Sequence, residues 1–367
     1  MKIAVVTVYD SIVNFGSFLQ AYALKKSLED LGHEVYFVER MATEDIVGRF
    51  NKIALANSKV KEVPFWNLPR KYSRYKRYKR ACTINNERLA VSVKDWELLN
   101  VISKEEALNC DCIICGSDEI WNKNNKDIDF DFYTCRWAKN IQKYAYAISS
   151  GDMKFEQLDS DEAEWLSTFE YCLARDENTL EVLKQSKGNV WDNIVCDPTI
   201  LYGSKNFKTE KHSSEKYDLP ERYMLVYSYV YTAKQKQMLR EYAKKNDLKI
   251  VSVSLDADFA DMTIFTSALD FPYLMKKAEC AYVATFHGCI FGMMYAKKLA
   301  IVPRLPKIES IVRVCGAEKY LIKEDFSSDD LAATLESEVN HTTIDDKLEA
   351  IKEKSQDALA KMLQQNI

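Results

Sequence analysis

The 367-residue chain has no run of about 20 apolar residues, so no segment is expected to span a bilayer. Its first residues, MKIAVVTVYD, turn polar too early for a secretory leader and lack a small-residue cleavage site. The expectation is a protein made and kept in the cytoplasm. A net charge of only -4 makes nucleic acid a poor partner. There is no G-x-x-x-x-G-K-S/T loop and no G-x-G-x-x-G after the first strand, which argues against nucleotide hydrolysis and dinucleotide redox chemistry. Histidine is scarce, at four residues. The ten cysteines are scattered and suit reduced thiols better than a disulfide framework. The densest group, Cys110, Cys112 and Cys115, lies in a run that reads as a buried strand, with Cys110 and Cys112 facing away from Cys115. No second Cys or His pair follows at zinc-like spacing, so core packing is expected and no metal or cofactor is implied.

What is present is alternation. Residues 3–8 read as a strand, FLQAYALKKSLEDL as a helix ended by Gly32, and residues 35–38 as a second strand. This is a βαβ unit with a right-handed crossover, and residues 9–17 occupy the crevice where such folds take ligands. The pattern weakens over 44–105. Within it, residues 70–80 (RKYSRYKRYKR) read either as a solvated helix or loop, or as a patch for anionic lipid headgroups. Residues 106–115 return to strand, GSDEIWN turns away, and KYAYAISSGD, a helix near 162–169 and CLARDENTLEVLKQ continue the alternation. CDPTILYG carries a proline break, and residues 206–219 read as a polar linker. Strands then open at 223 and within LKIVSVSL, CAYVAT and LAIVPR, interleaved with helices near 233–246, 271–278 and HGCIFGMMYAKK. A last helix covers about 344–365. Two mostly parallel sheets with helices on both faces follow. The expected division is 1–205, 220–345 and a closing helix over 346–367.

Among the histidines, His33 and His341 read as surface residues and His212 falls in the linker. His287 instead stands between a buried strand and an apolar helix. A helix N-terminus there favours an anion, Gly288 would let backbone approach it, and a histidine can move protons near neutral pH. A satisfied histidine at a strand–helix junction is the competing reading. Arg175 follows a short strand and could clamp a carboxylate or phosphate, or else form a surface ion pair. Asp118 and Glu119 could bind sugar hydroxyls, act as acid or base, or cap the next helix.

Six pieces in order, NFGSFLQAYALKKSLEDLGHEV, DCIICGSDEIWN, KYAYAISSGD, LARDENTLEVLK, VCDPTILY and FHGCIFGMMYAKKLAIV, resemble the polysaccharide pyruvyl transferase family over about residues 3–325. The resemblance implies an α/β protein of two Rossmann-like domains facing a cleft, in a GT-B-like arrangement. It implies phosphoenolpyruvate as donor, a sugar or lipid-linked oligosaccharide as acceptor, and a pyruvate ketal as product. It makes His287 the general acid and Arg175 the donor-holding arginine, and places Asn14, Gly16 and Gln20 in the cleft with Asp118 and Glu119 on the acceptor side. Where some members have an arginine, this chain has Thr285, and the aspartate that others carry is Ala284. The balancing cation is therefore expected from Arg304, Lys307 or Arg313. Glycosyl transfer from a nucleotide sugar and a non-catalytic sugar-binding role are the alternatives.

Overall fold

The computed structural model describes residues 1–64, 66–190, 192–210 and 217–364. His212 and part of the expected linker lie outside these residues. Six strands, β1 (Lys2–Val6), β2 (Glu34–Val38), β3 (Val101–Ile102), β4 (Cys112–Cys115), β5 (Gln142–Ile148) and β6 (Tyr171–Ala174), form a sheet in the order β3-β2-β1-β4-β5-β6. Five more, β7 (Tyr223–Tyr227), β8 (Lys249–Val253), β9 (Met262–Ile264), β10 (Cys280–Val283) and β11 (Leu299–Ile301), form a second in the order β11-β10-β7-β8-β9. Every pairing is parallel. Both orders reverse beside the first strand of the sheet, at β1/β4 and at β7/β10. A crevice for ligands opens outside the carboxyl ends of strands at such a reversal.

The strands read as continuous apolar runs because both sheet faces are buried. Along β4, Cys112 and Ile114 face one core while Ile113 and Cys115 face another, so these cysteines pack as small hydrophobes. The first of these cores is shared by both halves of the molecule. It takes residues from β1, β4 and β5, from β7, β10 and β11, from helix α1 (Phe15–Asp30), and from the helices Phe271–Lys277 and Phe286–Tyr295.

Two further elements tie the halves together. The final helix, His341–Gln364, starts in the second half and returns to pack on the short helix Pro198–Tyr202 of the first. Its Ser355 hydroxyl accepts the amide of Cys196 at 2.9 Å. Residues 43–96, where the sequence pattern is weak, form a hairpin of two long helices, α2 (Thr43–Ser58) and α3 (Leu68–Trp96). The far end of α3 docks on the second half. The Asp95 carboxylate accepts from Ser267 Oγ (2.6 Å) and the Ala268 amide (2.7 Å), and Arg88 Nε donates to the Ser254 carbonyl (2.8 Å).

Several local expectations are corrected. Residues 106–115 are not one strand, because a capping box between Ser103 and Glu106 starts a short helix, Lys104–Ala107, and strand begins only at Cys112. β3 and β9, at two and three residues, are too short to show a period of two. The proline of CDPTILYG starts a helix rather than breaking one. Asp197 caps it and Pro198 takes its first position, where a missing N–H costs nothing.

Candidate active site

The site is built at the seam between the halves. β10 ends at Val283, and Thr285 caps the helix Phe286–Tyr295 by accepting the Gly288 amide at 3.0 Å. That geometry sets His287 in the first turn and turns its imidazole toward α1. Gly16, in the first turn of α1, meets it so closely that a Cβ there would stand 2.0 Å from His287 Nδ1. Phe15 beside it stacks on Tyr227 (6.2 Å between centroids), and its amide donates to the Tyr227 hydroxyl at 3.2 Å. The seam is therefore closed around the histidine by glycine on one side and by aromatic packing on the other. Gly16→Ala should push the imidazole aside and lower turnover by about 10²-fold, with the far-ultraviolet circular dichroism unchanged. Turnover within about twofold of the parent would show that the contact does not set the histidine's position.

Opposite His287 stands Asp197, from the other half. Imidazole Nε2 lies 3.7 Å from Asp197 Oδ1, an ion-pair distance too long for a hydrogen bond, and Nε2 is buried with no hydrogen-bond partner among the described residues. Asp197 Oδ1 accepts from the Thr199 amide and hydroxyl (3.0 and 2.7 Å), while Oδ2 takes Arg175 Nη1 at 2.8 Å. Arg175 directs its other arm to Asp118 Oδ1 at 3.4 Å and lays its guanidinium 5.4 Å from the centroid of the Phe286 ring. Arg175 and Asp118 are set by strand ends. Arg175 follows β6, its amide held by the Ile148 carbonyl at 2.9 Å, past an irregularity in the β5–β6 register at Ala147. Asp118 follows β4 with φ at +81°, a region where a non-glycine residue costs of order 1–3 kcal/mol and which recurs at functional sites.

The charges hold one another. Burial alone would raise the Asp197 carboxyl, but the facing imidazole and the Arg175 guanidinium overcome it and keep it far below the usual carboxylate range. The same contest, with Arg175 and then Lys307 as the winning cations, lowers Asp118. Burial would lower the Arg175 guanidinium, and Asp118 and Asp197 raise it instead. Lys307, in the first turn of the helix Pro306–Val314, reaches across the seam to Glu119 at 2.7 Å and lies 5.2 Å from the Phe286 ring centroid. Phe286 thus has two cations at its ring.

Of the residues expected at the site, His287, Arg175, Asp118, Glu119, Lys307 and Gly16 are brought together, and others are not. Arg304 spends its guanidinium on Ser228, the Val230 carbonyl, Gln235 and Glu324, so it supports the β7 end instead of the cluster. Arg313 is exposed and pairs with Glu309 four residues back on its own helix. Gln20 is fully buried. Its amide nitrogen reaches Thr7 Oγ1 and the carbonyls of Val8 and Ser17, and its oxygen takes the Ser117 amide, so it braces the loop behind the cleft and has nothing left for an acceptor. Thr285 and Gly288 serve the cap. Gly288 is small because a Cβ would crowd Thr285 Oγ1 (2.7 Å) and Tyr227 (2.9 Å), not to let an anion approach. Asp197 and Tyr227 went unread as site residues. The Asp-Pro pair signals a helix start, but no local signal connects it to a histidine ninety positions on.

A cleft of about 530 Å³ opens beside the cluster, at the carboxyl ends of β1 and β4. Asn14, Asp118, Glu119 and the buried pair Asp10–Arg40 (2.6 Å) line it, Tyr229 enters from the second half, and Ile46, Phe50 and Ile53 of α2 form an apolar wall. Carboxylates and amides beside an apolar wall suit a polyhydroxylated ligand. No group of His, Cys, Asp and Glu able to hold a metal ion occurs among the described residues.

A family model described as polysaccharide pyruvyl transferase matches residues 14–304. No curated protein matches the chain by sequence. Among solved structures, a protein assigned as a UDP-N-acetylglucosamine 2-epimerase from Listeria monocytogenes aligns over 100% of this chain and 96% of its own, with a TM-score of 0.51 at 8% identity. The UDP-GlcNAc 2-epimerase of Methanocaldococcus jannaschii, in complex with UDP-GlcNAc and UDP, aligns over 99% of both chains with a TM-score of 0.48 at 12% identity. The fold is of the GT-B kind, two doubly wound halves about a cleft. At such identity the likeness describes architecture alone.

Proposed function

This chain belongs to the polysaccharide pyruvyl transferase family, and from that premise we propose that it moves the pyruvyl group of phosphoenolpyruvate onto a sugar of a surface polysaccharide or its lipid-linked precursor, as a cyclic ketal. The observation that supports this reading best is the imidazole of His287 facing the Asp197 carboxylate across the seam. An imidazole in that place can give a proton to the vinyl carbon of the donor. The adjacent carbon then becomes electrophilic, and one sugar hydroxyl adds to it, its proton going to the neutral imidazole. A second hydroxyl of the same sugar displaces inorganic phosphate, which leaves with that hydroxyl's proton, and closes the ring. The site's fixed charges favour the state in which charge has moved, which is where binding accelerates a reaction.

Roles divide by accessibility. Arg175, buried between Asp118 and Asp197, positions the two carboxylates. Lys307 is the more accessible cation, and a donor phosphate or carboxylate would replace Glu119 on it. The cleft lined by Asn14, Asp118 and Glu119 takes the acceptor sugar.

A thermal-shift comparison of phosphoenolpyruvate with common nucleotide sugars tests the donor. A ligand at about 100 times its Kd stabilises by about 2.7 kcal/mol, a rise of several degrees or less. The expected result is a rise with phosphoenolpyruvate alone, lost in Lys307→Ala. A rise only with a nucleotide sugar would move the assignment to glycosyl transfer.

A further inference from the structure

The tip of the α2–α3 hairpin is unlike the rest of the surface. Residues 70–80 carry seven Lys or Arg and no acidic residue, in a chain whose net charge is -4. The structure resolves the choice left by the sequence into helix, since these residues belong to the outer half of α3. Solvation does not account for the whole tip, because large apolar side chains share it. Trp66 is 73% exposed, Leu68 67% and Tyr72 60%, with Tyr75 also open. Leu68, Tyr72 and Tyr75 fall at i, i+4 and i+7 and so line one face. With Val60, Pro69 and Lys71 they form a shallow hollow of about 550 Å³. The cations flank this face. Lys76 sits 4.8 Å from the Tyr72 ring centroid and Lys79 5.6 Å from that of Tyr75, with their ammonium groups at the rim.

We propose that this hairpin tip docks on the surface of an anionic membrane, with Trp66, Leu68 and Tyr72 seated among the headgroups and the cations of residues 70–80 over the lipid phosphates. Charge complementarity argues for this occupant. A polybasic stretch is drawn to anionic lipid, and Trp and Tyr are the side chains that favour the headgroup level. Nucleic acid fits less well, since a protruding tip offers no groove to follow a backbone and spends its exposed area on Trp and Leu. The docking is peripheral, because no helix among the described residues is long and apolar enough to cross a membrane. The same α2 that ends at this tip forms the apolar wall of the cleft with Ile46, Phe50 and Ile53. Docking therefore anchors the helix that carries this wall at the bilayer, where a lipid-linked acceptor would present its sugar. The docking itself does not depend on the donor.

The test is co-sedimentation of the full chain with vesicles of phosphatidylcholine alone, and of phosphatidylcholine mixed with phosphatidylglycerol. Binding is expected to the mixed vesicles only, and to weaken with added salt. Arg70→Gln/Lys71→Gln/Arg77→Gln/Lys79→Gln should weaken it on the order of a thousandfold, at about one kcal/mol for each of the four cations near the surface. Trp66→Ser/Leu68→Ser should weaken it independently, at unchanged charge. Five of the six residues are exposed and Lys71 is half-buried beside the hollow, so both variants should keep the parent's thermal transition, and activity on a soluble acceptor should be retained. No binding by the parent, equal binding to both vesicles, or binding that both variants retain would overturn the proposal. So would a parent that ignores vesicles and uses these residues to dimerise or to hold an RNA oligonucleotide.

Discussion

Replacing His287 with Asn should lower pyruvyl transfer by about 10²–10⁴-fold, the range lost with a general acid. Asparagine keeps much of the shape against Gly16 and still fits the first turn of its helix, but it has no proton to give near neutral pH. Donor binding should survive, because Lys307 is untouched. The expected signature is a collapse in kcat with a near-normal thermal shift from phosphoenolpyruvate. Release of inorganic phosphate, followed with an acceptor, measures it. Turnover close to the parent's would remove His287 from the chemistry and leave it a packing residue of the seam.

The second large effect is on stability. Asp197→Ala should destabilise the fold by about 3–5 kcal/mol, read as a shift of the urea midpoint at constant slope. The cost comes less from the lost ion pair than from what stays behind. Arg175, only 7% exposed, keeps its charge, and Asp118 at 3.4 Å is its one remaining carboxylate. The short helix Pro198–Tyr202 also loses its cap. Asp197→Asn retains a capping oxygen and separates the two losses. If the charge argument holds, Asp197→Asn/Arg175→Met should recover much of the stability without recovering activity. A shift below about 1 kcal/mol for the alanine variant would show the arginine to be hydrated in ways its burial denies. Acid should act similarly. Asp118 and Asp197 have folded-state values below their unfolded ones, so their contribution is complete above about pH 4, the ordinary aspartate range, and is lost as pH falls through the lowered values. In Asp197→Asn that part of the acid sensitivity should be missing.

The sequence made some of this plain because the signals are local. The βαβ opening, the parallel architecture and the place of His287 between strand and helix follow from period and polarity over ten or twenty residues. Arg175 and Asp118 are legible for the same reason, each standing just past an apolar strand. What was illegible is partnership. Asp197 sits ninety residues from His287 and gains its role only when the halves meet. Gln20 was placed in the cleft by the family resemblance alone, yet it lies one turn too far into α1 and points behind the loop. Arg304 looked like a free cation until the end of β7 claimed it. The α2–α3 hairpin escaped a period reading because α3 is strongly polar along its outer half and buries little there, so no apolar stripe marks it.

One feature of the seam bears on how such a protein can change over time. His287 and the carboxylate that faces it come from different halves, and their 3.7 Å separation is a product of alignment. Phe15, Tyr227, Phe271 and the final helix fix that alignment by packing. Selection on the reaction must therefore reach these packing residues as firmly as it reaches the histidine. A substitution among them can silence the chemistry in a protein that still looks wholly folded. For this chain the boundary between scaffold and catalyst runs through the side chains of the seam and not along the contour of the cleft.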